Sequence, residues 1–596
     1  MPNEALSISD VAFMVTSQID RAPQWTMVRE LTMNAIEAAS KAQGEKTVHW
    51  TSALWKGTRK AVIWNTGPGM DAAELKSATD LACEINKNLG LDENFGVGAK
   101  VSSLRNNRLG MRFRSCKAGK VSEVILGYDP HDKLYVRFER DLGGKRDTVI
   151  DVTTAAIKDG RDVSYEWTEV MLLGNREDQD TTQRLFAAGS DSEKAYIANT
   201  LYRRFYRLSE GVKVKLDACY HRLDGTRNFL PIGQRYDKFE RHETVHIPEL
   251  NIKIHFLHDP WVGDRSGLRA SSRGALSSTT TTCSLVHKDE MYSVMTAKEW
   301  SAEAPRFGIP FGSKELCVHI ELADDDARPT QYRERLISKQ TGDDILPKDF
   351  SFEVRERMPE WVKEVIRNAS PRQTEDYSDI RKELQTLLNK YKVKVLGRHL
   401  SPAGEPSTER ESQGQDLWPV GSTKGVLVDP KHDTRPRTRR LVHEAPEGST
   451  TTSLYEIYEK PPQIIMLETQ EAVDEKKLKG RAAEFFMETG TLFINGLYEA
   501  VDRTIADIEP EFAAQGDPES VRTLATKAAR WAMAFRVGKA TVFALAKRLN
   551  EDWSESDMRA ALTKESLSIA ADNYEESLSV VRRRVREGLK LERAAA

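Results

Sequence analysis

Cysteine is scarce in this chain, and its spacing argues against both a disulfide framework and a zinc site. Disulfide scaffolds and zinc sites both depend on closely spaced cysteine pairs. Only five cysteines occur in 596 residues, with no CxxC pair among them, at Cys83, Cys116, Cys219, Cys283 and Cys317. We therefore expect buried thiols.

Long apolar runs and an excess of charge are also missing. No stretch approaches the roughly 18 uninterrupted apolar residues of a membrane span, and the first residues, MPNEALSISDVAF, lack the basic and apolar segments of a signal peptide. The 88 basic and 91 acidic residues leave a net charge of −3, so no global field draws the molecule onto nucleic acid or membrane. We expect a cytoplasmic protein whose charged surfaces are local.

The chain does contain enough apolar residues for several domains. Hydrophobic residues make up 39% of it, and a domain averages roughly 150 residues. Short β runs mix with helical periods in the first half, and helical spacing dominates later, beyond a stretch rich in Ser, Gly and Pro. The predicted class is α+β, with an α/β sandwich over 1–180, a middle α+β domain over 181–350, a helical connector over 351–395, a flexible linker over 396–450 and a helical domain over 451–596.

The segment 28–39, VRELTMNAIEAA, places three polar side chains on one helix face. At about 100° per residue, Glu30, Asn34 and Glu37 fall together, while the apolar residues lie on another face. By itself this stripe is more typical of a solvated helix surface, because glutamate is usually exposed.

Two glycine-bearing junctions follow this helix. In the first, a β run ends at NTGPGM, residues 65–70, before a helix capped by Asp71. In the second, NFGVGAKV, residues 94–101, leads into an apolar-periodic stretch. Glycine loops before helices direct backbone N–H groups at anions, although a strand-to-helix turn needs glycine without any ligand. The GxxxxGK[ST] and GxGxxG patterns are both absent.

In this order the three segments resemble the motifs of the GHKL, or Bergerat-fold, ATPases. This superfamily includes chaperones of the ninety-kilodalton heat-shock class, MutL-type repair proteins, type II topoisomerase ATPase subunits, MORC proteins and histidine kinases. The resemblance covers residues 10–175, and its wording is closest to the chaperones.

Four motifs carry the resemblance, two of them with a departure. The first, E-L-x-x-N-[SA]-x-[DE]-A, is matched by Glu30, Leu31, Asn34, Ala35, Glu37 and Ala38. The second, D-x-G-x-G-[MI], is matched by Gly67, Gly69 and Met70, with Asn65 in place of aspartate. The third, G-[VILF]-G, is matched by Gly96, Val97 and Gly98. The G-T-x-V strand is approached by 167–170, where Trp167 replaces glycine.

The resemblance implies a site for ATP and magnesium. Asn34 would hold the ion through its amide oxygen, and Glu30 would orient and deprotonate the attacking water. The segment 79–94 would form a lid with Gly90 and Gly96 as hinges. Loop amides and Lys100 would hold the phosphates, and Thr168 would hold adenine through water. The other positions carried over as nucleotide-binding are Glu37, Asn65, Gly67, Gly69, Met70, Gly96, Val97, Gly98 and Ala99.

Asn65 removes a charge from the position that would accept the adenine amino group. Losing charge assistance costs about 1–2 kcal/mol, so we expect weak nucleotide binding that Asn65→Asp tightens. An amide also offers a donor beside its acceptor, which leaves guanine as an alternative base.

A basic group from the middle domain is expected to reach the terminal phosphate. The segment 327–336, ARPTQYRERL, resembles the chaperones' S-R-E-x-L loop, with Arg333 at the arginine position. Lys339, in SKQT, is the alternative, because topoisomerase and repair relatives use a lysine near a Q-T pair. A surface loop with ordinary charges remains equally consistent with the sequence.

The resemblance favours a homodimeric, ATP-driven clamp that closes around a client. A nucleotide-gated scaffold with slow or absent hydrolysis is the alternative, and a histidine kinase is less favoured because no phosphoacceptor helix precedes the ATPase segment. DNA is slightly preferred over protein as the client, because residues 435–440 contain four arginines.

Overall fold

The chain forms two compact units in a computed structural model. The larger unit comprises Met1–Ser301 and Phe311–Ala369, and the smaller unit comprises Ala302–Pro310 and Ser370–Ala596. The described residues are 10–23, 26–80, 98–142, 145–185, 196–221, 224–262, 270–271, 282–330, 333–370, 377–392 and 460–595. The predicted linker over 396–450, with its arginines at 435–440, lies outside them.

Helices of both units follow one numbering along the chain. They are α1 Val11–Arg21, α2 Thr26–Ser40, α3 Ala72–Ala78, α4 Gly98–Leu104, α5 Thr153–Lys158, α6 Tyr196–Arg204, α7 Ala297–Glu303, α8 Ser351–Glu356, α9 Glu360–Ala369, α10 Ser378–Lys392, α11 Gln470–Glu475, α12 Glu499–Phe512, α13 Pro518–Leu549, α14 Glu555–Ala561, α15 Lys564–Asp572 and α16 Leu578–Ala595.

The strands are numbered in the same way. They are β1 Thr47–Trp55, β2 Thr58–Asn65, β3 Met111–Lys117, β4 Lys120–Asp129, β5 Leu134–Arg137, β6 Arg140–Leu142, β7 Lys145–Asp147, β8 Val149–Asp151, β9 Trp167–Leu172, β10 Lys213–Leu216, β11 Arg227–Phe229, β12 Arg241–Ile247, β13 Ile252–His258, β14 Trp261–Val262, β15 Ala270–Ser271, β16 Thr282–His287, β17 Glu290–Thr296, β18 Leu316–Leu322, β19 Ala327–Pro329, β20 Leu336–Ser338, β21 Asp344–Ile345, β22 Gln463–Leu467, β23 Ala483–Phe486 and β24 Thr491–Asn495.

A nine-stranded sheet organises the first part of the larger unit, in the order β11-β10-β1-β2-β9-β3-β4-β5 with β8 beside β4. Strands β1 and β10 pair in parallel, and the other pairs are antiparallel. Tight turns at Lys56–Gly57 and Ala118–Gly119 have positive φ at both central residues, which suits the right-handed twist of the hairpins. Because β10 and β11 follow residue 180, this sheet extends beyond the boundary predicted there.

One face of the large sheet is covered by helices. Met27, Val28 and Leu31 of α2 share a core with Trp50, Ile63 and Val170 of the sheet, and all are buried. The apolar face that the sequence predicts for 28–39 therefore packs inward. Asp71 caps α3, as the sequence predicts, by accepting from the N–H groups of Ala73 and Glu74.

The opposite face carries a buried ion network where an apolar layer is more usual. Arg114 donates to Glu123 at 2.5 Å and to Asp159 at 2.7 Å. Arg112 donates to Glu169 at 3.4 Å. These strands alternate apolar residues toward the helices with charged residues toward this network, so both faces are specified by the same two-residue period.

A second, five-stranded sheet follows in the larger unit, in the order β12-β13-β18-β16-β17. Four polar residues are paired across it, from Thr244 through His255 and His319 to Ser284. His319 is fully buried, and its Nδ1 lies 2.8 Å from Ser284 Oγ.

The smaller unit combines a helical bundle with a sheet that the sequence pattern does not predict. Strands β22, β24 and β23 form a three-stranded sheet. Around α13, small residues let the neighbouring helices approach, and a Cβ at Gly538 would lie 2.7 Å from Leu384 Cδ1. Helix α12 continues past Pro510 to Phe512 because proline there disturbs only the last turn. The next helix, α13, begins after Asp517, whose side chain accepts from the Ser520 N–H.

The predicted α+β class is thus confirmed, with a helical region at the C-terminal end. Within the described ranges, no helix is long and apolar enough to cross a membrane.

We predict that His319 makes the stability of the larger unit depend on pH. Burial, with a further effect from His255, lowers the pKa of His319 from 6.5 to about 3. Between these values the unfolded chain binds a proton that the folded chain excludes. The free energy of unfolding therefore falls as the pH drops below about 6.5.

The variant His319→Asn removes this titration, and its amide can keep a hydrogen bond to Ser284. Thermal unfolding is measured between about pH 7.5 and pH 5. As the pH falls, the midpoint of wild type should decrease relative to that of His319→Asn. His131→Asn is the control, because that side chain is 92% exposed. A gap between wild type and His319→Asn that stays constant with pH would contradict the prediction.

Candidate functional site

Three strands bring three polar side chains into register on the helix-covered face of the large sheet. Asn65 of β2 pairs with Thr168 of β9, and Thr168 pairs with Ser115 of β3. All three residues are buried, and the Ser115 and Thr168 hydroxyl oxygens lie 2.7 Å apart. The row Asn65–Thr168–Ser115 forms one polar wall of a site.

Backbone partners determine which way the Asn65 amide faces. Its Oδ1 accepts from the Gly67 N–H at 2.9 Å, and its Nδ2 donates to the Thr168 carbonyl at 3.3 Å. If the amide oxygen and nitrogen were exchanged, the NH₂ group would face the Gly67 N–H and the oxygen would face the Thr168 carbonyl. Neither contact could be a hydrogen bond, so the orientation described here is the favoured one. Among the bonds to described residues, one acceptor lone pair and one N–H of this amide have no partner.

The junction after β2 approaches other backbone so closely that only glycine fits. A Cβ at Gly67 would lie 2.6 Å from the carbonyl carbon of Ala38, and one at Gly69 would lie 1.7 Å from the Cys116 oxygen. These contacts press the NTGPGM turn between α2 and β3. Packing therefore requires glycine at both positions, whether or not they also bind a ligand.

Two side chains that the sequence analysis did not select hold this turn. Ser115 Oγ accepts from the Met70 N–H at 2.8 Å, and Glu166 Oε2 accepts from the Gly69 N–H at 3.0 Å. Neither lies in a motif, and no local pattern distinguishes them from ordinary strand and loop residues.

Glu30 lies beside the start of α4. A Cβ at Gly98 would lie 2.0 Å from Glu30 Oε2, so the glycine makes room for the carboxylate. Helices α2 and α4 pack together, with Leu31 and Val101 in the shared core. A carboxylate is thus placed at the beginning of the helix that follows the second glycine segment.

The remaining polar residues of the α2 stripe are more accessible. Asn34, one turn after Glu30, is exposed, and Glu37 is half-buried. The predicted stripe therefore exists as one face of α2, with its first member facing α4.

Lys100 has protein partners in this structure. Its ammonium donates to the Ala78 carbonyl at 3.0 Å and to the Asp80 carbonyl, and its side chain is buried. Lys100 therefore satisfies backbone carbonyl groups at the C-terminal end of α3. Ala99, its neighbour, is buried in the core between helices and sheet.

Several predicted positions lie outside the described residues. They are Gly96, Val97, the hinge Gly90 and the lid segment from 81 to 94. Gly98 is the first described residue after this gap.

A buried ion cluster next to Glu30 was not found from the sequence. Arg29 donates to Glu30 Oε1 at 2.6 Å and to Glu290 Oε2 at 3.2 Å, with a second bond to Glu290 Oε1. Arg204 donates to Glu290 Oε2 at 2.7 Å. Glu290 begins β17, so the cluster joins α2, α6 and the second sheet.

The two basic candidates of the middle region differ in their surroundings. Arg333 is half-buried, and its charge acts on Glu290. Its backbone has φ 52° in a turn where its N–H donates to the Thr330 carbonyl at 2.7 Å. Lys339 donates instead to the Asp324 carbonyl at 3.2 Å. Of the two, Arg333 is the one whose charge acts on Glu290 of the cluster.

Comparisons with known proteins add nothing to this geometry. No family model matches the chain, and no curated protein matches it.

We predict that Asn65→Asp destabilises the protein when no nucleotide is present. An aspartate would set a carboxylate oxygen against the Thr168 carbonyl, where Asn65 Nδ2 now donates at 3.3 Å. Two buried acceptors facing each other cost about 1–3 kcal/mol. The tighter ATP binding expected of this variant must therefore be measured separately from its stability.

Thermal unfolding at neutral pH without nucleotide checks this prediction, and a midpoint lower by several degrees is expected. Asn228→Asp is the matched control, since that asparagine also lies on a strand of the same sheet but is exposed. Equal midpoints for Asn65→Asp and wild type would show that the amide orientation has no energetic importance.

Proposed function

We propose that the protein is a magnesium-dependent ATPase of the GHKL type. The observation that carries the proposal is the contact between the Glu30 carboxylate and Gly98 at the start of α4. The N-terminal end of a helix favours anions such as phosphates, and a general base must lie within hydrogen-bond reach of the water that it deprotonates. The motif resemblance and the polar wall Asn65–Thr168–Ser115 support the same assignment.

The polar wall suits the base of a nucleotide. The lone pair and N–H that remain on the Asn65 amide match the amino group and ring nitrogen on one edge of adenine. The same two groups match guanine through its oxygen and ring N–H, so the base stays an outcome of binding measurements. The Thr168 hydroxyl lies beside this amide and adds a further donor or acceptor.

Asn34 is the residue that would hold magnesium. Its neutral amide is exposed one turn from Glu30, and magnesium in nucleotide sites takes few protein ligands because phosphates and waters supply the rest. Among the described residues, no group of three or more His, Cys, Asp and Glu side chains is arranged to hold a metal. Magnesium would neutralise charge developing on the phosphates.

A second candidate function is a nucleotide-gated scaffold with slow or absent hydrolysis. The ion pair between Arg29 and Glu30, at 2.6 Å, favours it, because a carboxylate engaged by a guanidinium has one oxygen fewer for a water molecule. Turnover measurements separate this candidate from the ATPase.

We predict that Glu30→Ala lowers the rate of ATP hydrolysis by about 10²-fold or more while ATP binding persists, because a positioned general base contributes about 10²–10⁴. Single-turnover hydrolysis and equilibrium binding measure the two effects. Glu177→Ala is the control, since that glutamate is exposed and pairs only with Lys56 among its described ion partners. Normal hydrolysis by Glu30→Ala would exclude Glu30 as the base.

We further propose that two copies form a clamp around a client, with DNA preferred. Two basic residues of α16 already have carboxylate partners, because Arg582 pairs with Glu511 at 2.7 Å and Arg584 with Asp379 at 2.8 Å. The arginines of 435–440 are the contact we prefer, since phosphates attract clustered arginine without a fixed geometry.

We predict that the full chain sediments as a dimer and compacts when a nonhydrolysable ATP analogue is added. DNA retention should fall with added salt and when Arg435, Arg437, Arg439 and Arg440 are replaced by serine, because each phosphate contact releases counterions. A monomer under both conditions contradicts the clamp. If DNA retention changes neither with salt nor with the substitutions, the result contradicts DNA as the client.

A further inference from the structure

Glu290 connects the second sheet to the region around Glu30. It begins β17, where the hairpin formed by β16 and β17 turns toward α2 and α6, and it is almost fully buried. Two arginines from different helices donate to its carboxylate, Arg29 of α2 and Arg204 of α6, and the charge of Arg333 also acts on it. The carboxylate therefore joins both helices to the first residue of β17.

Arg29 lies between two carboxylates and orients one of them. It forms two bonds to Glu290 and one to Glu30 Oε1. The other Glu30 oxygen, Oε2, is the atom nearest to where a Cβ of Gly98 would lie. The Glu30 carboxylate is therefore held through Oε1 with Oε2 directed at the start of α4.

The positive charge of Arg29 interacts with two carboxylates and not with Glu30 alone. A guanidinium paired only with Glu30 would compensate the charge of that carboxylate more fully. Here Glu290 takes two of the bonds from Arg29. Burial acts to raise the pKa of Glu290, but Arg204, Arg29 and Arg333 lower it to about 2, so Glu290 stays ionised.

We propose that Glu290 is a positioning residue for hydrolysis: it holds Arg29 so that Glu30 is oriented without being fully neutralised. This inference rests on the proposed ATPase function. It assigns the second sheet a defined part in the reaction, because Glu290 begins β17 and the position of Arg29 then depends on that strand.

The test compares Glu290→Gln with Glu321→Gln. Glu321 is a matched control on the same sheet, because it is also held by an arginine, Arg207 at 3.0 Å, but makes no contact with Arg29 or Glu30 among the bonds described. Glu290→Gln should lower kcat roughly tenfold or more, since small displacements of a reacting group have effects of this size, and should leave the ATP dissociation constant within about twofold. Glu321→Gln should leave kcat unchanged.

A double-variant cycle distinguishes positioning from a general loss of structure. If Glu290 acts through Arg29, then Glu290→Gln combined with Arg29→Gln should lower kcat no further than Arg29→Gln alone. Two independent effects would multiply instead, and that result overturns the inference. Glu290→Asp, which keeps the charge on a shorter side chain, should give an intermediate kcat. It replaces Glu290→Gln in the comparison if Glu290→Gln does not fold.

The possible failures are distinguishable. Wild type that hydrolyses ATP and loses activity in Glu30→Ala, together with normal kcat in Glu290→Gln, overturns the role of Glu290 and leaves the proposed function intact. Wild type that does not hydrolyse ATP overturns both. A fall in kcat of equal size in Glu321→Gln also overturns the inference, because it would show a nonspecific effect of removing a carboxylate that pairs with an arginine.

Discussion

The ion cluster around Arg29 is the interaction on which the rest of the larger unit depends. Burying a guanidinium is costly unless carboxylates compensate it in good geometry. Arg29 meets this requirement with Glu30 on its own helix and Glu290 on β17, at opposite sides of one guanidinium. Removing either partner would leave a buried charge, so the second sheet cannot separate from α2 without exposing the cluster to water.

Register within the large sheet provides the second constraint. Asn65, Thr168 and Ser115 come from strands that are far apart in the chain, and they become neighbours because β2, β9 and β3 pair side by side. A shift of one residue in any of these strands would turn its polar residue to the opposite face. That face holds the network of Arg112, Arg114 and their carboxylates, which resists such a shift.

The structure gives a physical reason for two departures from the GHKL motifs that the sequence resembles. An asparagine at position 65 satisfies a backbone donor and a backbone acceptor at once, which a carboxylate cannot do. Trp167, where the family pattern has glycine, lies in a buried cluster with Cys116 and Val121 and points away from Thr168. Neither departure removes the polar wall.

The sequence by itself determined those features that depend on neighbours along the chain. The inward face of α2, the cap of α3 at Asp71 and the α+β class all follow from local periodicity and capping chemistry. Tertiary structure alone decided the partnership of Arg29 with Glu290, the placement of β10 and β11 in the first sheet and the sheet of the smaller unit. These depend on contacts between residues far apart in the chain, 261 positions for Arg29 and Glu290, and a single arginine or glutamate in a strand or helix looks the same whether solvent or an opposite charge will face it.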